Sequence, residues 1–414
     1  MDVKLVTGWG KNLVLLRHIL NGVMIRKLKN IVIRLLSTNI FFDIYFLSFL
    51  QIKILNKLRG EKKSVFKIKH FNRLNPAKKI LDGYDYISKT QNNININIPN
   101  LNLYLIENAL INSRSSAIIK GTNIYYEAIN NNERFNEGYI ERHSKKIALV
   151  RLNDIEKIDE GFFLAGNGSH NWYHWMIEIL PKMMYYQSDQ TNYILVDESC
   201  KYIQSMAESL RVFTKLLNLK IIYLNKHKTY KVKKLYFINE VNKVIFNQFD
   251  SKNNHFPLYY YRQNSLRSMA LKFQNIYFND NFYPEKVYLE RKGSHRIAQN
   301  QRDLLNKITD RGFKNIDLIT KSIDEQVNIF YKAKTLIGIT GAAWTNILFC
   351  KANSKVIIFM PNNYKAFSFY SEMAEMLSVN LSYLYYENGD NEHSKSNFTI
   401  DLQQLDNFLT TEND

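Results

Sequence analysis

From Gly161 onward the sequence alternates short runs of β-branched or aromatic residues with longer segments of helical periodicity. That rhythm restricts the fold to the α/β class, with parallel sheets wrapped by helices. Strands are expected at Phe162–Leu164, Tyr193–Val196, Ile221–Leu224, Leu235–Ile238, Val287–Glu290, Ile316–Ile319, Leu336–Ile339 and Val356–Phe359. Helices are expected at about 172–187, 200–217, 258–275, 300–311, 323–333 and 343–350. The two runs divide near residues 276–285, where Phe282, Tyr283 and Pro284 interrupt the pattern, and so predict two Rossmann-like domains facing a cleft. A length of 414 residues agrees with two domains. No repeat with a period of 20–50 residues is apparent.

Composition narrows the class further. The chain is 45% hydrophobic and 14% aromatic with only 15 Gly and 6 Pro, which excludes collagen-like and broadly disordered chains. Two cysteines, Cys200 and Cys350, cannot make a disulfide framework or a four-thiolate zinc site, and no secretory leader is visible. A reducing cytosol is the expected compartment.

The formal charge of +18 is unevenly placed. Residues 1–80 carry 17 Lys and Arg against Asp2, Asp43 and Glu61, a net of +14, which leaves +4 for the other 334 residues. Leu35 to Ile52 is an apolar stretch broken by Ser37, Thr38, Asn39 and Asp43, too short and too polar to span a bilayer. Ile40, Phe41, Ile44, Tyr45, Leu47, Ser48 and Ile52 could share one helical face that dips among lipids while flanking cations meet anionic headgroups. An amphipathic helix packed on the body has the same periodicity, and both readings stay open. Nucleic acid is not expected, because no recognition motif accompanies the charge. Lys89 to Asn100, closed by Pro99, reads as an exposed strand or biased linker.

Two constellations could carry chemistry. In the first, Gly161 to Pro181, a strand enters a turn containing Gly166 and Gly168, then a cap at Ser169 or Asn171, then a helix. Such a turn (Gly166, Gly168, Ser169) presents N–H groups at a helix N-terminus and is expected to bind an anion. Trp172, Trp175, Met176, Ile179, Leu180 and Met183 form the buried face, while His174 and Glu178, four apart, share another. A carboxylate beside an imidazole fixes its tautomer and raises its basicity, as a general base requires. A pair that only ties the helix to its neighbour is the competing reading. His170 with His174 and Glu178 would make a metal triad, but His170 falls on or before the cap and no distant cluster completes a site, so no metal is expected.

The second constellation runs from Val287 to Asn346, with three segments that begin at the ends of expected strands, where open parallel sheets place ligands. Arg291 and Arg296 flank Gly293 and could grip a diphosphate with two guanidinium forks; Asn300 and the pair Glu325-Gln326 follow. Gly341-Ala342-Ala343 forms a turn of little bulk after Thr340, and Thr345 and Asn346 add short hydrogen-bonding groups. The chain has no P-loop and no G-x-G-x-x-G, so no nicotinamide fingerprint.

In this order the motifs resemble glycosyltransferase family 61. The segment Asn171-Trp-Tyr-His-Trp-Met-Ile-Glu-Ile-Leu-Pro181 is similar to its N-x-Y-H-W-x-x-E/D-x-L-P motif. Arg291, Arg296 and Asn300, then Glu325-Gln326, then Thr340-Gly-Ala-Ala-Trp-Thr-Asn346 are similar to its later motifs. The resemblance covers roughly residues 160–365. It implies a two-domain GT-B fold, inversion at the anomeric carbon, no cofactor and no obligatory metal. A nucleotide sugar, expected to be UDP-linked, would be held by Arg291, Arg296, Asn300, Gln326, Thr340, Gly341, Ala342, Thr345 and Asn346. Bacterial members assemble capsule or lipopolysaccharide, so a surface polysaccharide or lipid-linked glycan is the expected acceptor. Residues 1–80 would then be a basic arm on the anionic inner face of the membrane, 81–280 the acceptor-side domain and 281–414 the donor domain. Thr340 replaces the family's histidine and Ala343 its second glycine. The alternative function is a catalytically inactive sugar- or nucleotide-binding scaffold.

Overall fold

The computed structural model describes residues 25–33, 45–59, 62–81, 98–127, 137–244, 259–291, 297–362, 369–387 and 398–411. Arg296 and part of the expected arm, residues 1–24, 34–44 and 60–61, lie outside them, as do residues 82–97. The described residues form a mixed α/β structure with two sheets.

The larger sheet contains β1 (Lys63–His70), β2 (Lys78–Leu81), β3 (Leu101–Ile111), β4 (Ile118–Lys120), β5 (Asn123–Tyr126), β6 (Ile140–His143), β7 (Ile147–Arg151), β8 (Ile155–Leu164), β9 (Tyr193–Asp197), β10 (Lys220–Leu224) and β11 (Thr229–Ile238). Its order is β10-β9-β8-β11-β3-β4-β5-β1-β7-β6, with β2 beside β3. β10, β9, β8 and β11 run parallel, because helical segments link β8 to β9 and β9 to β10. The rest is mainly antiparallel, joined by tight turns such as Gly121-Thr122 between β4 and β5. β1 and all of β2 but Leu81 fall inside the segment expected as a basic arm, yet both are strands of this sheet. The helix Tyr45–Arg59 is laid on it, with Tyr45 and Ile52 against Val65, Ile147 and Leu149.

The smaller sheet is entirely parallel: β12 (Lys286–Glu290), β13 (Lys314–Asp317), β14 (Thr335–Ile339), β15 (Lys355–Pro361) and β16 (Asn380–Tyr386), in the order β13-β12-β14-β15-β16. β14 and β15 are near-continuous apolar runs, as expected of strands covered on both faces. Helix Ile323–Lys332 precedes β14 and starts with a capping box between Ser322 and Glu325. One continuous buried cluster joins the two sheets, running from Phe162 and Leu164 through Trp175, Phe213 and Phe273 to Trp344 and Val356. Among the described residues, no helix is long and apolar enough to cross a membrane.

Candidate active site

In the parallel quartet the chain moves outward from β8 to β9 and β10, then crosses to the other side of β8 to form β11. The C-terminal ends of β8 and β11 therefore flank a topological switch point, the place where open parallel sheets bind their ligands. The first motif leaves β8 at this place. Its turn uses positive φ angles at Gly166 and Gly168, 145° and 76°, a region open to glycine at little cost. Gly166 N–H donates to Ser169 Oγ at 2.7 Å and Asn167 N–H to Ser116 Oγ at 3.0 Å. Gly168 N–H and Asn167 Nδ2 both donate to the Glu137 carboxylate, at 3.1 and 2.7 Å. The turn expected to hold a substrate anion thus gathers one from its own chain. Glu137 was not foreseen, since it lies in no motif.

Asn171, rather than Ser169, caps the following helix, its Oδ1 accepting from Tyr173 N–H at 2.9 Å. One α-helical turn, Trp172–His174, passes into a π turn, Trp175–Ile179, and then a 3₁₀ turn, Leu180–Met184, that Pro181 opens. Trp175, Met176, Ile179, Leu180 and Met183 are buried. On the other face His174 Nδ1 and Glu178 Oε2 are 2.7 Å apart, with the residues only 2% and 5% exposed. The second carboxylate oxygen of Glu178 accepts from Val244 N–H at 2.8 Å, and Asn242 Nδ2 donates to Ile177 O at 2.6 Å. Both partners follow β11, so the motif is clamped across the switch point. Gly168 lies under the imidazole: a Cβ there would stand 2.6 Å from His174 Cγ.

Behind Glu178 lies a set of buried charges: Glu127, Glu240, Lys182, Lys243 and Arg262. Lys243 Nζ is 3.2 Å from Glu240 Oε2 and donates to Glu127 O at 2.8 Å. Burial pushes Glu127 up to about 7, against the hydrogen bond from Asn239. Burial brings Lys182 down to about 8, against the attraction of Glu240, Glu178 and Glu127.

The smaller sheet has its own switch point, between β12 and β14. Arg291 is the first residue after β12 and Thr340 the first after β14; Arg291 Nη1 donates to Thr340 O at 2.6 Å. Gly341 makes the approach possible, since a Cβ there would be 2.5 Å from Nη1. Tyr370, which no sequence signal marked, donates its hydroxyl to Gly341 O at 2.9 Å. The next segment, Ala342–Phe349, is 3₁₀ rather than α-helical.

The remaining expected donor residues face inward. Asn300 is tied at both ends to Ile400, Nδ2 donating to its carbonyl at 2.8 Å and Oδ1 accepting from its N–H at 3.0 Å. Gln326 Nε2 donates to Lys321 O at 2.9 Å, and its Oε1 accepts from Asn346 Nδ2 at 2.9 Å. Thr345 is fully buried, and Ala342 is partly buried against the central cluster. Asn346 instead links the two motifs: its Oδ1 accepts from Trp172 Nε1 at 2.8 Å. Tyr173 adds a second link, edge-on to both the His174 and the Tyr370 ring. Each motif is therefore held at its strand ends and the two are braced against each other. Among the described residues, no group of three His, Cys, Asp or Glu could hold a metal ion.

No curated protein matches the chain. The model of the family Glycosyltransferase 61 matches residues 172–357, beginning at the first helical residue of the first motif and ending within β15. Over that region, which contains His174, Glu178, Arg291 and the turn at Gly341, the chain is similar to glycosyltransferase 61, and the similarity supports a glycosyltransferase.

Proposed function

We propose that the chain is an inverting glycosyltransferase of GT-B architecture. It would move a sugar from a nucleoside diphosphate, UDP in the first instance, to a surface polysaccharide or lipid-linked glycan of a bacterium, working at the anionic inner face of the membrane. The observation that carries this reading is the bracing of Arg291 and the His174–Glu178 pair through the Trp172–Asn346 hydrogen bond. A cation for a leaving diphosphate and a base for a hydroxyl are what a single displacement needs.

Glu178 spends both oxygens inside the protein, on His174 and on Val244. It is therefore the orienting partner, and His174 the base. With the proton on Nδ1 directed at the carboxylate, the basic lone pair is on Nε2. As the acceptor oxygen bonds to the anomeric carbon, its proton passes to His174, the bond from that carbon to the diphosphate breaks, and Arg291 stabilises the charge that departs. Arg296 would join it. No cofactor or metal enters the step as proposed; the guanidinium groups meet the phosphate charge.

A thermal-shift screen of nucleotide sugars followed by a diphosphate-release assay tests the reading. One nucleoside diphosphate family should raise Tm, by an amount equivalent to about 3 kcal/mol at a hundredfold excess over Kd. His174→Ala and Glu178→Gln should abolish release. Binding without any release would favour the inactive scaffold, and full activity in both variants would remove the base from the mechanism.

A further inference from the structure

The helix Tyr45–Arg59 carries apolar residues on its outward side as well as on the side that packs. Its body-facing side includes Ser48 and Gln51, both buried, beside Tyr45, Ile52 and Leu55. Its outward side presents Leu47, Phe49, Leu50 and Ile54, which are 38%, 41%, 40% and 46% exposed, with the exposed Lys53 and Lys57 among them. A surface helix normally directs its apolar stripe at the core. Asn56 Oδ1 accepts from Lys63 N–H at 3.2 Å, so the helix end is fixed to the start of β1 and the outward face is held in place.

We infer that this face docks in the plane of an anionic bilayer, with Leu47, Phe49, Leu50 and Ile54 among the acyl chains and Lys53 and Lys57 on the headgroups. Charge selects the occupant. The helix contains no acidic residue, and residues 1–80 carry 17 cations against three acids. A second copy on the same face would set these lysines against themselves, whereas anionic headgroups complement them. Fifteen residues span about 22 Å, less than the hydrocarbon core, so the helix lies in the interface. Residues 25–33 are also helical, with Ile25, Leu28, Ile31 and Val32 exposed alongside Arg26, Lys27 and Lys29. The inference deepens the placement proposed above and depends on that reading only for why the enzyme is there.

Co-sedimentation of the full chain with phosphatidylcholine vesicles, with and without phosphatidylglycerol, is the test. The chain should pellet with anionic vesicles and be released by salt. The double variant Leu50→Glu, Ile54→Glu should weaken partitioning by about a hundredfold, roughly tenfold for each apolar side chain lost, with Tm and turnover on a water-soluble acceptor unchanged. Lys53→Glu with Lys57→Glu should weaken it by about five-fold or more per residue. No binding to anionic vesicles, or equal binding by the Glu variants, overturns the inference. So does a concentration-dependent dimer in light scattering that the double variant dissociates, without vesicle binding. A chain that docks but never releases diphosphate supports the docking face and refutes the transferase reading.

Discussion

Arg291 donates from Nη1 to the main-chain carbonyl of Thr340 at 2.6 Å, joining the ends of β12 and β14 where the strand order turns. The bond fixes the plane of the guanidinium, and Gly341 supplies the space: a Cβ would be 2.5 Å from Nη1, while the extended backbone there, φ 165°, would accept alanine without strain. Gly341→Ala should therefore act through Arg291 alone. We expect it to lower UDP affinity about tenfold, as Arg291→Lys should, with Arg291→Ala losing about a hundredfold, the range of charge-assisted hydrogen bonds. The double variant Arg291→Ala, Gly341→Ala should be no worse than Arg291→Ala. Additive losses in titration calorimetry would show that the glycine has a role of its own.

Gly168→Ala should be costly for two reasons that a control can separate. Its φ of 76° disfavours any side chain, and a Cβ would strike His174 at 2.6 Å. Gly121 has a similar φ of 61° and open space around it, so Gly121→Ala measures the backbone cost alone, about 1 kcal/mol. Gly168→Ala should lose more, about 2–3 kcal/mol in urea unfolding, and should also lower kcat by displacing the imidazole. Equal stability losses in the two variants, with kcat preserved in Gly168→Ala, would disprove the contact.

Asn346 looks in the sequence like a donor contact, but its side chain bridges Trp172 and Gln326. Asn346→Ala would leave a buried amide oxygen and an indole N–H without their partner, at a cost of about 1–3 kcal/mol each when no water replaces it. A lowered Tm with UDP affinity nearly intact is the expected outcome. A selective loss of UDP affinity at unchanged Tm would restore the donor role.

The sequence was most legible where burial is two-sided. Each of the eight strands expected after Gly161 overlaps an observed one, because strands such as β14 and β15 are apolar along nearly all their length. The strands before Gly161 were not foreseen. β1, Lys63–His70, interleaves lysines with apolar residues and pairs with β5 and β7, partners 50 or more positions away, so its pattern does not identify its neighbours. His174–Glu178 was readable from helical spacing, and Arg291 from its place at a strand end. Asn346 to Trp172 spans 174 positions and Asn300 to Ile400 a hundred; no local pattern announces either bond. Glu137 is unmarked for the same reason, since only the folded turn puts its carboxylate opposite Gly168 N–H.

The buried charges behind Glu178 should give stability an unusual dependence on pH. Burial holds Glu127 at about 7 in the folded chain, above its ordinary 4.5, despite the hydrogen bond from Asn239 Nδ2. Between those values the folded protein keeps a proton that the unfolded chain releases, so stability falls as pH rises from about 4.5 to 7. Lys182, brought down to about 8 from 10.5 by burial, acts in the opposite sense: between about 8 and 10.5 the unfolded chain holds the extra proton, and stability rises with pH. Each group is worth at most roughly 3 kcal/mol over its window. The combined contribution of these two groups to the urea midpoint should therefore be least between pH 7 and 8; above about 9 the thiols of Cys200 and Cys350, pushed up by burial, act against Lys182. Glu127→Gln, which keeps an oxygen for Asn239, should flatten the acid limb, and Lys182→Met the alkaline limb. A profile between pH 5 and 10 that neither substitution changes would mean that these two groups titrate alike in the folded and unfolded chain.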